Sequence, residues 1–94
     1  MSSDVDKAAE SFLNAWEMGC FYKLVDAMHH EIENALKAGR VSRELYESTK
    51  EKAEALRKVA KSAKNEALKL KALNQASELD AYLKKMEGLL DSKA

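Results

Sequence analysis

The hydrophobic residues of this chain recur at helical spacing, but the face on which they fall changes at two places along the sequence. The first stripe ends near Gly19 and consists of Val5, Ala9, Phe12 and Trp16. At 100° per residue, the stripe that follows lies roughly 150° around the helix from it. Glycine is unfavourable inside helices and permits a cap conformation, so the pattern predicts a kink or short break at Gly19.

The next stripe belongs to a predicted second helix that ends in a clear boundary at residues 38–42. Its apolar positions are Phe21, Leu24, Val25, Met28, Ile32, Ala35 and Leu36. Gly39 is suited to a left-handed helix cap, and Ser42 is suited to the N-cap of the following helix. Val41 and Tyr46 stand at the two positions of a hydrophobic staple around that cap. The sequence therefore predicts a tight turn between two helices here.

The third helix is predicted to be long and rich in alanine. From Ser42 its stripe runs through Leu45, Thr49, Ala53, Leu56, Ala60, Ala63, Ala67 and Leu70. Another stripe then takes over on nearly the opposite face, made of Leu68, Ala72, Ala76, Leu79, Leu83, Met86 and Leu90. Two arrangements satisfy this change of face. The chain either turns at about residues 74–77, with Ser77 and Asp80 as a capping box, or forms one helix of about 50 residues that changes packing partners partway along.

We therefore predict an all-α, bundle-like fold of four helices in a single domain spanning residues 1–94, with helices at approximately 4–18, 20–38, 42–73 and 77–91. The composition agrees, since 46% hydrophobic and 34% charged residues without proline are typical of long helices. Stripes on opposite faces of consecutive helices are difficult to bury within one chain. We therefore expect a homodimer in which long antiparallel helices of both subunits complete the bundle.

The formal net charge is zero, but the charge is unevenly distributed. Residues 1–36 carry seven acids and two bases, whereas residues 37–75 carry five acids and eleven bases. Such opposed segments favour antiparallel pairing, within the chain or between chains, and a high charge content is also a weak feature of thermophile surfaces. The single cysteine cannot form an internal disulfide, and no signal-peptide or membrane-spanning pattern is present. We therefore expect a cytoplasmic protein without a membrane partner.

Several potential metal ligands lie on the polar side of the predicted second helix. Asp26, His29, His30 and Glu33 project away from its apolar stripe. Imidazole and carboxylate groups one helical turn apart can converge on a divalent ion, and His30 between Asp26 and Glu33 forms the best-placed trio. The alternative interpretation is a solvated polar face, which is the commoner role of such residues on a highly charged helix.

The segment from His30 to Arg40, HEIENALKAGR, resembles the second helix of the MazG-like, all-α NTP pyrophosphatases. In that family a Glu-x-x-Glu motif on this helix is followed by an Ala-Leu-x-x-Gly ending. The two acidic pairs, Glu-x-x-Glu on this helix and Glu-x-x-Asp on the next, bind the magnesium that activates water against a nucleoside triphosphate. The resemblance places Glu31 at the first carboxylate position, whereas Asn34 stands at the second. The acidic pairs on the following helix are Glu44 with Glu47 and Glu51 with Glu54. Magnesium requires several oxygen ligands. The resemblance therefore fits a degenerate, non-catalytic relative of the family better than an active enzyme.

A basic stripe on the predicted third helix consists of Lys50, Arg57, Lys61, Lys64 and Lys71. Basic stripes can follow the phosphates of nucleic acid. This one is interleaved with Glu47 and Glu54, and no aromatic residue on it is available for base stacking. We therefore favour a solvated face, or a surface that pairs with the acidic first part of the chain, over a nucleic-acid partner.

The remaining candidates for chemistry have structural interpretations. Phe12, Trp16, Phe21 and Met28 have the spacing of core or subunit-interface residues rather than of a ligand site, and Cys20 is expected to be a buried structural thiol. We therefore predict a non-enzymatic, homo-oligomeric structural or interaction module without a cofactor. The alternatives are a magnesium-dependent nucleoside triphosphate pyrophosphatase and, more weakly, nucleic-acid binding. The candidate metal ligands are Glu31, Asp26, His30 and Glu33.

Overall fold

In the computed structural model, which describes residues 4–90, the chain forms four α-helices joined by short connections. These are α1 (Asp4–Glu17), α2 (Phe21–Ala38), α3 (Arg43–Ser62) and α4 (Glu66–Glu87). Helix α3 packs against both α1 and α4, and α2 packs against α1 and α4. The predicted all-α class and bundle-like packing are therefore confirmed.

The first two connections are glycine turns at the predicted places. Gly19 and Gly39 have φ of 77° and 75°, in the left-handed region that side chains rarely adopt. The N–H of Cys20 donates to the carbonyl of Ala15 at 2.8 Å, and the N–H of Gly19 donates to that of Trp16 at 3.1 Å. The same pair of hydrogen bonds recurs around Gly39. Both turns are Schellman motifs, which satisfy carbonyls left without partners at a helix end.

The start of α3 is fixed by a side-chain cap and by a contact with the far end of α4. Oγ of Ser42 accepts a hydrogen bond from the N–H of Leu45 at 3.1 Å, as the sequence predicted. Val41, only 1% exposed, donates its N–H to the carbonyl of Leu89 at 3.2 Å. The α2–α3 turn is thereby joined to the chain that follows α4.

The boundary between α3 and α4 lies earlier than the sequence predicted. Helix α3 ends at Ser62, and Oδ1 of Asn65 caps α4 by accepting from the N–H groups of Ala67 and Leu68 at 2.8 and 3.1 Å. The predicted helix at 42–73 and the turn at 74–77 are therefore wrong, because residues 68–77 are continuous helix within α4. The capping box expected of Ser77 and Asp80 is absent for the same reason.

The core is built from all four helices of one chain. Its largest fully buried side chains include Leu56, Leu79 and Met86, and Thr49, the one buried polar residue within 4–90, donates its hydroxyl to the carbonyl of Leu45 at 2.8 Å. At the α1–α2 end, the rings of Phe12 and Phe21 lie 6.1 Å apart. The core role predicted for Phe12, Phe21 and Met28 is confirmed, with Trp16 partly buried at its edge.

Candidate functional site

The predicted metal ligands lie on the exposed side of α2, and one of them, Glu33, forms a hydrogen bond with α4. Asp26, His30, Glu31 and Glu33 are all exposed. Glu33 accepts a hydrogen bond from the hydroxyl of Tyr82 on α4, with an oxygen–oxygen distance of 2.7 Å. Within residues 4–90, no three His, Cys, Asp or Glu side chains are grouped so that they could hold a metal ion. Metal binding by these residues stays a prediction, without a preformed ligand set.

Glu33 belongs to a polar contact that joins α2 to α4. Nε2 of His29 lies 3.0 Å from Oε1 of Gln75 and 3.8 Å from Oε1 of Glu78. The imidazole also meets the ring of Tyr82 edge-on, with centroids 5.4 Å apart. The hydrogen bond to Glu33, followed by partial burial and the negative charges of Glu33 and Glu78, raises the pKa of Tyr82 to about 12. His29 therefore acts in helix packing, whereas the sequence suggested a possible metal ligand.

Two of the carboxylates singled out by the pyrophosphatase resemblance come near each other. Glu31 on α2 and Glu44 on α3 line the same open cavity of about 220 Å³, together with Ser42, Leu45 and Ser48. Neither glutamate forms a salt bridge within the described part of the chain. The structure thus brings one acidic side chain from each helix to the same cavity, which Asp26, His30 and Glu33 do not line.

The basic stripe does not run along a single helix. Lys64 lies in the connection after α3, and Lys71 lies on α4. Both N–H···O contacts of Arg57 reach the carboxylate of Asp80, at 2.6 and 2.7 Å, and Nζ of Lys71 lies 4.8 Å from the centre of the Tyr22 ring. The placement predicted on one third helix is therefore wrong, because the cap at Asn65 ends that helix sooner. Nucleic-acid binding itself stays an untested prediction.

A feature that the sequence analysis missed is an uncharged seam on the outer face of α4. Counting 100° per residue, its members fall within a sector of about 80° on the side opposite the core. They are separated by steps of three and four residues, the spacing of a coiled-coil contact. All of them are exposed, and Leu70, the one large apolar member, is 62% exposed. The residues of this outer seam are Ala67, Leu70, Asn74, Ser77 and Ala81.

Charged residues lie at the ends of the outer seam and along its edges, but not within it. Glu66 precedes it and Lys84 and Lys85 follow it, while Lys71 and Glu78 lie along the edge that faces α2. Leu73, 46% exposed, lies along the opposite edge, towards α3. The signal in the sequence was present, because Ala67 and Leu70 extended the apparent stripe of α3. It could be assigned to a second face of α4 only once the break at residues 63–65 was known.

Cys20 and the neighbouring apolar residues lie at the α1–α2 turn. The thiol is half-buried rather than fully buried as the sequence predicted, because it lies in the connection between the two helices. Met18 and Tyr22 on either side are 79% and 55% exposed.

No helix within residues 4–90 combines the length and the apolar character that crossing a membrane requires.

No protein-family model, curated protein or solved structure matches this chain. The similarity to MazG-like pyrophosphatases therefore stays a prediction from one helical segment. The function proposed for this protein therefore rests on the surface features described above.

Proposed function

We propose that this protein is a non-enzymatic, homo-oligomeric interaction module whose subunits associate through the outer seam of α4. The observation that carries the proposal is the absence of charge from five exposed positions at coiled-coil spacing, in a chain that is 34% charged. A solvated helix face has no physical requirement for that spacing. A helix that packs against partners on two sides requires this spacing, because each packed face needs its own stripe of uncharged residues.

The energy available from the seam is concentrated in one side chain. Leu70 is 62% exposed, and full burial of a leucine is worth about 1.5–3 kcal/mol. The alanines and Ser77 add less area, but small side chains allow the backbones of two helices to approach closely. An interface formed by five mostly small side chains buries little surface and belongs to the weak, reversible class. We therefore expect a monomer–dimer equilibrium that responds to protein concentration.

Sedimentation equilibrium tests the proposal directly. The chain has a mass of 10.5 kDa, and we expect the average mass to rise towards twice that value at tens of micromolar protein. Leu70→Glu should return the protein to monomer, because it replaces the largest apolar side chain of the contact with a charge. A single species of 10.5 kDa at all concentrations would overturn the proposal.

A matched pair of substitutions separates the seam from the rest of the surface. Ala81→Glu places a charge within the seam, and Ala27→Glu places the same charge at an exposed position of α2. Both replace an exposed alanine inside a helix, so their effects on helix stability should be similar. We expect only Ala81→Glu to weaken association. Equal weakening by both variants would show that net charge, rather than the seam, controls the oligomer.

A second candidate function rests on the cavity shared by Glu31 and Glu44. Two carboxylates and two hydroxyls supply the hard oxygen ligands that magnesium prefers, and a bound triphosphate would supply others. Under this proposal the protein uses water to hydrolyse a nucleoside triphosphate to the nucleoside monophosphate and pyrophosphate. Calorimetric titration with magnesium and a pyrophosphate-release assay test it. Turnover that is lost in Glu31→Gln would support this function, and absence of both heat and turnover would leave the interaction module alone.

A further inference from the structure

We infer that the two outer seams pair antiparallel about a two-fold axis that passes between residues 75 and 76. In this arrangement Leu70 of each subunit packs against Ala81 of the partner subunit. The inference rests on the proposed association through α4. It goes further by naming the direction and register of the pairing, which the association alone leaves open.

The sizes of the side chains favour this register. When two helices with alternating steps of three and four pair antiparallel, each position of one type faces a position of the other type. Leu70 then meets Ala81 of the partner subunit, so that a large side chain fills the space beside a small one. The parallel alternative would place Leu70 against its own copy and Ser77 against its own copy. That arrangement places both large side chains in one layer and leaves the neighbouring layers with small or polar side chains only.

The polar residues of the seam are also satisfied by this register. Asn74 faces Ser77 of the partner subunit, and the two-fold axis creates the same pair a second time. A carboxamide and a hydroxyl each carry both donor and acceptor groups, so each pair can form hydrogen bonds within the interface. A polar residue at a single core position is a known means of fixing the register of paired helices.

The charges around the seam favour the antiparallel direction most strongly. Residues 57–71 carry six basic residues and one acidic residue, and they form the end of the molecule where α3 meets α4. Parallel pairing would bring two such basic ends together and would place Lys84 beside its own copy. Antiparallel pairing separates the basic ends, opposes the two helix dipoles and brings Lys71 near Glu78 of the partner subunit. Glu66 likewise comes near Lys84 of the partner subunit.

Cysteine cross-linking tests the direction. In a Cys20→Ser background, Leu70→Cys and Ala81→Cys are prepared separately, and a mixture of the two is oxidised under mild conditions. Antiparallel pairing brings the two different thiols within the reach of a disulfide. It holds the two copies of residue 70 apart by about 16 Å along the helix, since eleven residues separate them at 1.5 Å each. The mixture should therefore cross-link and each variant alone should not.

Ala27→Cys in the same background measures cross-linking by random collision, because residue 27 is exposed on α2. The mixture should react at least about tenfold faster than this control, because thiols held in a complex have effective concentrations in the millimolar range. Mass spectrometry of the proteolysed product should identify the disulfide between positions 70 and 81. That result would support the antiparallel register.

Other outcomes separate this inference from the function on which it rests. Rapid cross-linking of Leu70→Cys alone would overturn the antiparallel direction but leave association through α4 intact. A dimer in sedimentation that gives no cross-link above the Ala27→Cys control in any sample would overturn the pairing of the seams. A monomer in sedimentation with no cross-link would overturn both the register and the proposed function.

Discussion

Helices α3 and α4 bury similar inner faces, but their outer faces differ. Eight of the nine exposed residues of α3 are charged, whereas only six of the twelve exposed residues of α4 are. All six uncharged ones on α4 lie between Ala67 and Ala81. Because the two helices come from one chain of high charge, composition alone does not account for the contrast. The difference is what the proposed association requires: the outer face of α3 is charged, whereas the outer face of α4 carries an uncharged stripe on which another helix could pack.

The inner faces should respond alike when their cores are disrupted, and this is the largest effect that we expect. Leu56 on α3 and Leu79 on α4 are both 0% exposed. Replacement of either by alanine should lower the free energy of unfolding by about 2–5 kcal/mol, through lost burial and the cavity that remains. Urea denaturation at low protein concentration measures both. A loss below 1 kcal/mol for Leu79→Ala alone would show that the inner face of α4 is less well packed than that of α3.

Leu70→Ala provides the control for that experiment and sharpens the contrast. At concentrations where the protein is monomeric, we expect an effect within about 0.5 kcal/mol, as for other exposed positions. The effect should increase with protein concentration if Leu70 becomes buried in a dimer, because association stabilises the folded state by mass action.

Charge placed on the two outer faces should give the next largest effect. We expect Ala81→Glu to weaken dimerisation by at least about tenfold, or 1.4 kcal/mol. Lys50→Glu, which changes the charge on the exposed face of α3, should leave the dissociation constant nearly unchanged. Analytical ultracentrifugation of both variants gives the comparison. If Lys50→Glu weakens association as much as Ala81→Glu, the outer face of α3 is also part of the interface.

The sequence predicted the elements that depend on local chemistry. The fold class, the turns at Gly19 and Gly39 and the cap at Ser42 each follow from a residue whose conformational preference acts locally. The buried stripe of α2 follows from helical spacing alone. In each case the decisive interactions lie within a few residues of one another.

The third boundary was missed because two apolar stripes overlap there. Ala60, Ala63, Ala67 and Leu70 keep helical spacing across the break, so the periodicity gave no sign of it. Asn65 followed by the acidic Glu66 was the available signal of a helix start. The polar contacts of α2 with α4 could not be predicted, because His29 and Gln75 are far apart in sequence and meet only through the packing of the helices.

The cap at Asn65 separates the charged face of α3 from the uncharged seam of α4, and its removal should have a moderate effect. Asn65→Ala should destabilise the fold by about 1 kcal/mol, because two N–H groups at the start of α4 lose their acceptor. Asn65→Asp should retain most of the stability, since a carboxylate also caps helices. Thermal denaturation of the three proteins tests this. Equal stability of the alanine variant would indicate that α3 and α4 tolerate a continuous helix at this point.

Tyr82 fixes the other edge of α4 to α2, and its removal should give the smallest effect. Its hydroxyl donates to Glu33 on the exterior, so Tyr82→Phe should cost about 0.5–1 kcal/mol at neutral pH. The pKa of Tyr82 is raised from 10.0 to about 12, so the folded protein holds this proton more tightly than the unfolded chain does. The contribution is therefore complete below pH 10 and declines between pH 10 and about 12. Over that interval the stabilities of the native protein and Tyr82→Phe should converge.

Tyr22→Phe serves as the control, because the Tyr22 hydroxyl forms no hydrogen bond within residues 4–90. A difference between native and Tyr82→Phe that stays constant up to pH 12 would show that the ring, rather than its hydrogen bond, holds α2 against α4.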